Sequence, residues 1–229
     1  MVLQLKISVV IPVINEAPLI GSAIQSAWAA GVDQVIVVDG GSTDATKPFA
    51  NQHACDWLES RPGRAIQQNA GAEAAWGDLL LFLHVDSRLP ADAADQLSKG
   101  LAGLMEYGGF RQQIDNPKRV YRWIESGNSL RLLRRGVIYG DQGLFITRAA
   151  WQEYGPFPEQ PLMEDYLLSK TLRQFLKPVL LPGPLVVDAR RWEKYGPVRQ
   201  TLRNWAITLG CGLGVSPKRL ANFYRRHDQ

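Results

Sequence analysis

A chain of 229 residues, 45% hydrophobic and 21% charged, has the balance of a globular protein, which excludes a disordered tail, a collagen-like fibre and a membrane bundle. Cysteine occurs only at Cys55 and Cys211, too few for a disulfide framework or a thiolate zinc knuckle, and this scarcity suits a reducing cytoplasm. The net charge of +4 is uneven: 6 cations and 12 acids up to Phe110 give −6, and 20 cations and 10 acids beyond it give +10, so the basic half points to an anionic partner, a membrane surface or a nucleic acid without choosing between them.

In chain order, Ile7, Val9, Val10, Ile11 and Val13 form a continuous β-branched run, expected of a strand buried on both faces. Residues 18–30 carry Leu19, Ala23, Ile24, Ala27 and Trp28 at helical spacing, with Gly31 as the stop. Val35 to Val38 repeats the strand pattern. A helix over 43–54, a short strand over 56–59, an Ala- and Gln-rich helix over 64–75 and an apolar strand over 79–83 follow. This alternation over about 110 residues predicts a mostly parallel open α/β sheet flanked by helices, with a crevice at the C-terminal ends of its strands.

The second half reads as a strand from Gly108 with polar alternation, a basic helix over 117–135, a strand over 144–147, a helix over 164–175 and short strands over 179–181 and 185–187. The stretch 198–226 sets Leu202, Trp205, Leu209 and Leu213 among Arg199, Arg203, Lys218, Arg219, Arg225 and Arg226, helices that pack on their own domain or lie on an anionic membrane. No linker or repeat divides the chain, so residues 1–229 read as one catalytic domain, with a ligand-binding half at 1–110 and a second half at 111–229. The longest apolar run is too short for a bilayer span, no early segment reads as a targeting signal, and His53 and His227 read as surface residues.

Two clusters carry chemistry. Asp39-Gly40-Gly41-Ser42-Thr43-Asp44 follows the second strand, where glycines admit close backbone approach and a hydroxyl can cap the next helix; as residues alone it is equally a tight turn. It has neither a dinucleotide nor a phosphate-loop spacing. His84-Val85-Asp86 ends the fourth strand, and alternation puts His84 and Asp86 on one side, where imidazole plus carboxylate suits manganese and carboxylate with water suits magnesium. An Asp capping the helix that begins near Leu89-Pro90 is the plainer alternative.

Taken in order, Ile11 to Glu16, Val37 to Asp44, Gly63 to Gly71, Leu81 to Asp86, Gly140-Asp141-Gln142, Met163-Glu164-Asp165 and Arg190-Arg191-Trp192 resemble the family 2 glycosyltransferases of GT-A fold, most closely the small bacterial branch named for arsenosugar biosynthesis. The resemblance implies an inverting transfer of one sugar from a nucleotide-sugar donor to a small or lipid-linked acceptor. Pro12, Asn15, Glu16, Asp39 and Asp44 would border the nucleoside, and Arg64, Gln67 and Asn69 the nucleotide or sugar. Asp86, with His84, would hold Mn2+ or Mg2+. Gly140, Asp141, Gln142, Arg191 and Trp192 would face donor sugar and acceptor, and Asp165 of the Glu164-Asp165 pair would be the base.

Three departures qualify the match: Gly40 replaces the second aspartate of its motif, His84 replaces the first Asp of the metal motif, and Asp188 stands where processive relatives have Gln. A nucleotidyltransferase would need a Gly-rich cationic loop after the first strand, which Pro12 to Glu16 lacks. A non-enzymatic anionic-lipid binder is the other alternative. Nucleic-acid binding lacks the interleaved cations and aromatic platforms it requires. The expected location is cytoplasmic, with peripheral contact on the inner membrane face left open.

Overall fold

The computed structural model describes residues 5–103 and 105–226, with side chains up to Phe223. His227 and the side chains of Tyr224, Arg225 and Arg226 lie outside the described residues. The first half alternates β1 (Ile7–Val13), α1 (Ala17–Ala29), β2 (Gln34–Asp39), α2 (Thr46–Ala50), β3 (Asp56–Glu59), α3 (Arg64–Ala74), β4 (Leu79–Phe82), a two-residue β5 (Ser87–Arg88) and α4 (Ala93–Ala102). The second half contains β6 (Tyr107–Ile114), α5 (Arg119–Arg135), β7 (Phe145–Thr147), α6 (Arg148–Tyr154), α7 (Glu164–Leu172), β8 (Pro178–Val187), α8 (Arg190–Tyr195), α9 (Pro197–Gly212) and α10 (Pro217–Arg226).

All eight strands belong to one sheet of order β3-β2-β1-β4-β7-β6-β8-β5. The first four are mutually parallel. β7 is antiparallel to both β4 and β6, β8 is parallel to β6, and β5 is antiparallel to β8. The mostly parallel open sheet flanked by helices is thus as the sequence predicts. The β4·β7 pairing carries it through both halves of the chain.

Strand alternation divides the core between two faces. Val9, Ile11, Val35, Val37, Leu79 and Leu81 pack with Ile20, Ile24 and Ala27 of α1. Val10, Ile36, Val38, Leu80 and Phe82 pack with α3, α6 and α7. α3 lies very close to the sheet: a Cβ on Gly71 would stand 2.3 Å from Val10 Cγ1, so only glycine lets helix and strand meet there. A third, separate cluster joins Met163 to Ile207 and Cys211 of α9 and Leu220 of α10.

The differences from expectation are local. The helix expected over 43–54 shrinks to Thr46–Ala50, because Asn15 Oδ1 accepts the N–H groups of Thr43 and Asp44 and holds them in a loop. The two short strands expected over 179–187 are one strand with an irregularity where Gln112 follows Phe110 in the ladder. α6 and α8 were not anticipated, and His53 is partly exposed.

Candidate active site

β4 ends at Phe82, and the chain continues through buried Leu83 to His84, Val85 and Asp86. A cleft of about 150 Å³ opens there, lined by Arg64, His84, Asp86, Gly140, Asp141, Asp165, Arg191 and Trp192 among others. Eight of the predicted residues, spread over more than a hundred positions, thus meet in one place. Pro12, Asn15, Glu16, Asp39, Asp44, Gln67, Asn69, Gln142 and Glu164 do not line it.

The carboxylate of Asp165 stands in the first turn of α7. Met163, at φ 70°, turns the chain into that helix, and Glu164 and Asp165 are only 2% and 8% exposed. Asp165 Oδ2 accepts the Gly140 N–H at 2.6 Å and Oδ1 accepts the Tyr166 N–H at 2.7 Å. Burial, reinforced by the neighbouring Glu164 charge, pushes its pKa up to about 7, against the opposing pull of Arg64 and the two backbone donors. A carboxyl so placed changes protonation near neutrality, as a general base requires. Arg64, at the start of α3, donates to Glu164 Oε1 at 3.2 Å and so ties that helix to the acidic pair.

The imidazole of His84 is held neutral: burial, then the positive charge of Arg64, drives its pKa down to about 3. Its Nε2 is enclosed and has no hydrogen-bond partner among the described residues. The turn bearing Gly140 presses on this ring so closely that a Cβ there would fall 2.0 Å from Nε2. The next residue, Asp141, accepts from Gln112 Nε2 at 3.0 Å through Oδ2 while Oδ1 is buried without a partner among the described residues. Burial raises its pKa, and Arg131 opposes the rise. Arg131 also braces the turn, donating to Gln142 Oε1 at 2.6 Å and Asn128 Oδ1 at 2.9 Å and stacking 3.9 Å over the Tyr139 ring. Gln142 is therefore a strut beneath the cleft.

The loops after β1 and β2 brace each other. Asn15, in the left-handed region at φ 54°, accepts from Thr43 N at 2.8 Å. Asp44 accepts from Ala17 N at 3.2 Å and Thr46 N at 2.9 Å, and the Asp39 carboxylate takes the Ser42 N–H on both oxygens. Gln67 donates to Val13 O and Val38 O, both at 2.8 Å. Asn69 exchanges two 2.9 Å bonds with the Phe157 backbone. These amides hold backbone in place, which is a different task from the direct ligand contact expected of them.

Several lining residues lie outside the predicted set. Asp188 accepts the Arg190 N–H at 2.7 Å and its own N–H binds Asp86 O at 2.9 Å. Arg190 reaches Glu16 at 3.1 Å and joins α8 to the first loop. α9 forms a roof through Gln200, Asn204, Ile207 and Thr208, and Thr208 pairs its hydroxyl with that of Tyr139. Asp188 in place of the Gln of processive relatives was visible in sequence; the polar inner face of α9 was hidden by its more conspicuous apolar stripe.

Among the described residues no three His, Cys, Asp or Glu side chains come together as a self-sufficient metal cage. The unpartnered His84 Nε2 and the neighbouring Asp86 nevertheless fit a cation that completes its shell with water and phosphate oxygens. Among the described residues, no helix is long and apolar enough to cross a membrane.

A cleft beyond the parallel strands of an α/β sheet, with arginines on its rim, is where such a fold binds an anionic ligand. Residues 8–150 match the model of glycosyl transferase family 2, and the chain belongs to that family. It is a glycosyltransferase. The PGL/p-HBAD biosynthesis glycosyltransferase of Mycobacterium bovis (strain BCG / Pasteur 1173P2) is 27% identical over 213 residues, covering 85% of this chain and 79% of that protein. Its counterpart in Mycobacterium tuberculosis (strain ATCC 25177 / H37Ra) matches equally. Family membership overturns the non-enzymatic alternative.

Solved structures give the fold alone. S. aureus TarS 1-349 in complex with UDP-GlcNAc superposes with a TM-score of 0.64 at 17% identity, over 80% of this chain and 58% of that one. The chain thus spans less than two thirds of that structure. The mannosyltransferase PcManGT from Pyrobaculum calidifontis, in complex with GDP-Man and Mn2+, gives 0.60 at 20% identity over 82% and 57%. Glucosyl-3-phosphoglycerate synthase from Mycobacterium tuberculosis, with Mn2+, UDP and phosphoglyceric acid, gives 0.54 at 21% over 77% and 68%.

Proposed function

We propose that the enzyme transfers one sugar from a nucleoside-diphosphate sugar to an acceptor hydroxyl with inversion, and that Asp165 is the base. The observation carrying this reading is the near-neutral Asp165 carboxyl, fixed by two backbone donors in the same cleft as His84, Asp86, Arg64 and Arg191. An acceptor hydroxyl seated beside Asp165 gives up its proton to the carboxylate as its oxygen attacks the anomeric carbon. Direct displacement from the face opposite the diphosphate inverts that carbon. Arg64 and Arg191 rim the cleft on the side where negative charge departs.

Asp86 and His84 would hold Mn2+ or Mg2+, which when bound supplies positive charge to the diphosphate. Neighbours of the same fold bound to UDP, GDP-Man and Mn2+ support a divalent cation with the donor. Pro12, Asn15, Glu16, Asp39 and Asp44 form the nucleoside wall as a mutually braced pair of loops, with Gln67 as a buried support at the ends of their strands, while Asn69 holds the Phe157 backbone. Gly140, Asp141 and Trp192 face the donor sugar and acceptor. The ordered motifs suggest the arsenosugar-biosynthesis branch, whereas the relatives found are PGL/p-HBAD enzymes, so neither name decides the acceptor.

A panel of UDP-, GDP- and dTDP-sugars with Mn2+ tests the reading. One nucleotide class at about 100 times its Kd should add about 2.7 kcal/mol of stability, or about 5–10 °C in Tm for a chain of this size. No shift with any nucleotide at saturation refutes the donor site.

A further inference from the structure

α9 has two opposed faces. At about 100° per residue, Gln200, Ile207 and Cys211 fall on one side, and all three are buried. Val198, Leu202, Trp205 and Leu209 fall within about 60° of one another on the opposite side, and each is between 56% and 64% exposed. The inner face roofs the cleft and packs on Met163. The outer face carries four large apolar side chains in a row, and none of the described residues buries them.

The stripe has neighbours of matching character. α5 packs against α9 and exposes Trp123, Leu130 and Leu133. The charges of the stripe's own stretch of chain are of one sign: from Lys194 to Arg226 the sequence contains seven Lys and Arg and no Asp or Glu, with the exposed Glu193 just before it. Lys194, Arg199, Lys218 and Arg219 are exposed. An apolar row with tryptophan, on a stretch of chain whose charges are predominantly cationic, is complementary to an anionic lipid surface, where acyl chains receive the apolar side chains and headgroups receive the cations. A protein partner burying the same row would leave those cations unanswered unless it too were acidic.

We propose that the outer face of α9, with the adjoining exposed residues of α5 and the cations of α10, docks this enzyme on an anionic membrane surface. Docking there holds the roof of the cleft at the lipid boundary. The inference concerns the surface and stands independently of the donor and base assigned above, because vesicle binding is read without nucleotide.

The full chain is mixed with vesicles of phosphatidylcholine alone or with about 30% phosphatidylglycerol, floated at about 0.05 M and about 0.5 M salt, a range that shortens the screening length several-fold. Binding should favour the anionic vesicles at least tenfold and weaken at high salt. The double substitution Trp205→Glu and Leu209→Glu should lose at least tenfold in binding while keeping the wild-type melting temperature. Should that variant fail to fold, Lys218→Glu with Arg219→Glu must show the same loss. Equal recovery with both lipids, or unchanged binding by folded variants, overturns the proposal. So does a wild-type dimer by light scattering that ignores vesicles and becomes monomeric on Trp205→Glu, since a second copy would then cover the stripe.

Discussion

Replacing Asp165 by Asn removes a buried charge and one backbone acceptor together, and the two effects separate by pH. The folded carboxyl titrates near 7 against an ordinary 3.8, a gap that sets a ceiling of about 4 kcal/mol. Because the folded value is the higher, the folded state holds the proton more tightly. The associated stability is fully present below about pH 3.8 and is lost as pH rises through 7. The Asn variant has no such loss. Its single carbonyl, however, can serve only one of the Gly140 and Tyr166 N–H groups, and the amide NH2 then faces the other, at a cost of about 1–3 kcal/mol.

Between pH 5 and pH 8 the variant should therefore gain about 2–3 kcal/mol on the wild type, and at pH 8 it should be the more stable by roughly 1–3 kcal/mol. Urea denaturation of both proteins at the two pH values, in chelator and without nucleotide, measures the difference. Transfer by the wild type should rise with pH through about 7 as the base ionises, and the variant should bind donor without turning it over. A stability difference indifferent to pH refutes the raised pKa, and undiminished turnover by Asp165→Asn refutes the base.

Three further substitutions test the parts around it. Gly140→Ala places a methyl 2.0 Å from His84 Nε2; the turn or the ring must move, and donor-supported activity should fall at least tenfold, measured beside far-UV CD. Asp86→Ala should weaken Mn2+-dependent donor binding by calorimetry, leaving metal-free stability within about 1 kcal/mol, since the cleft is where this carboxylate faces water and ligand. Asn69→Ala strands the N–H and C=O of buried Phe157 and should cost about 2–4 kcal/mol in urea unfolding, with no change in metal requirement.

The first half of the fold was legible because its strands are buried on both faces and its helices carry one apolar stripe. The continuous runs at Ile7, Val35 and Leu79 have no other comfortable structure. The second half was less so. β7 has only three residues, and its antiparallel insertion between β4 and β6 depends on partners far away in sequence. At the cleft, His84, Asp86 and Asp165 were visible as polar residues at element ends. Gln67 and Asn69 show the limit: a buried amide bound to backbone looks the same in sequence as one awaiting a ligand. The inner face of α9 was obscured because Gln, Asn and Thr there carry no charge or motif.

The small cluster of Met163, Ile207, Cys211 and Leu220 shares no member with the two clusters that flank the sheet. The roof is thus held by this small cluster, the Thr208–Tyr139 hydroxyl pair and contacts with α5 and α8, and its local opening does not require breaking the two clusters that flank the sheet. Amide protons of α9 should exchange sooner than those of β1, through a smaller cooperative unit. Met163 links that unit to the first turn of α7, so lifting the roof admits water beside Asp165 and relieves the burial that raises its pKa. The carboxyl is a stronger base beneath a closed roof than an open one, which makes the proton affinity of the site a property of the C-terminal helices as much as of the strand ends.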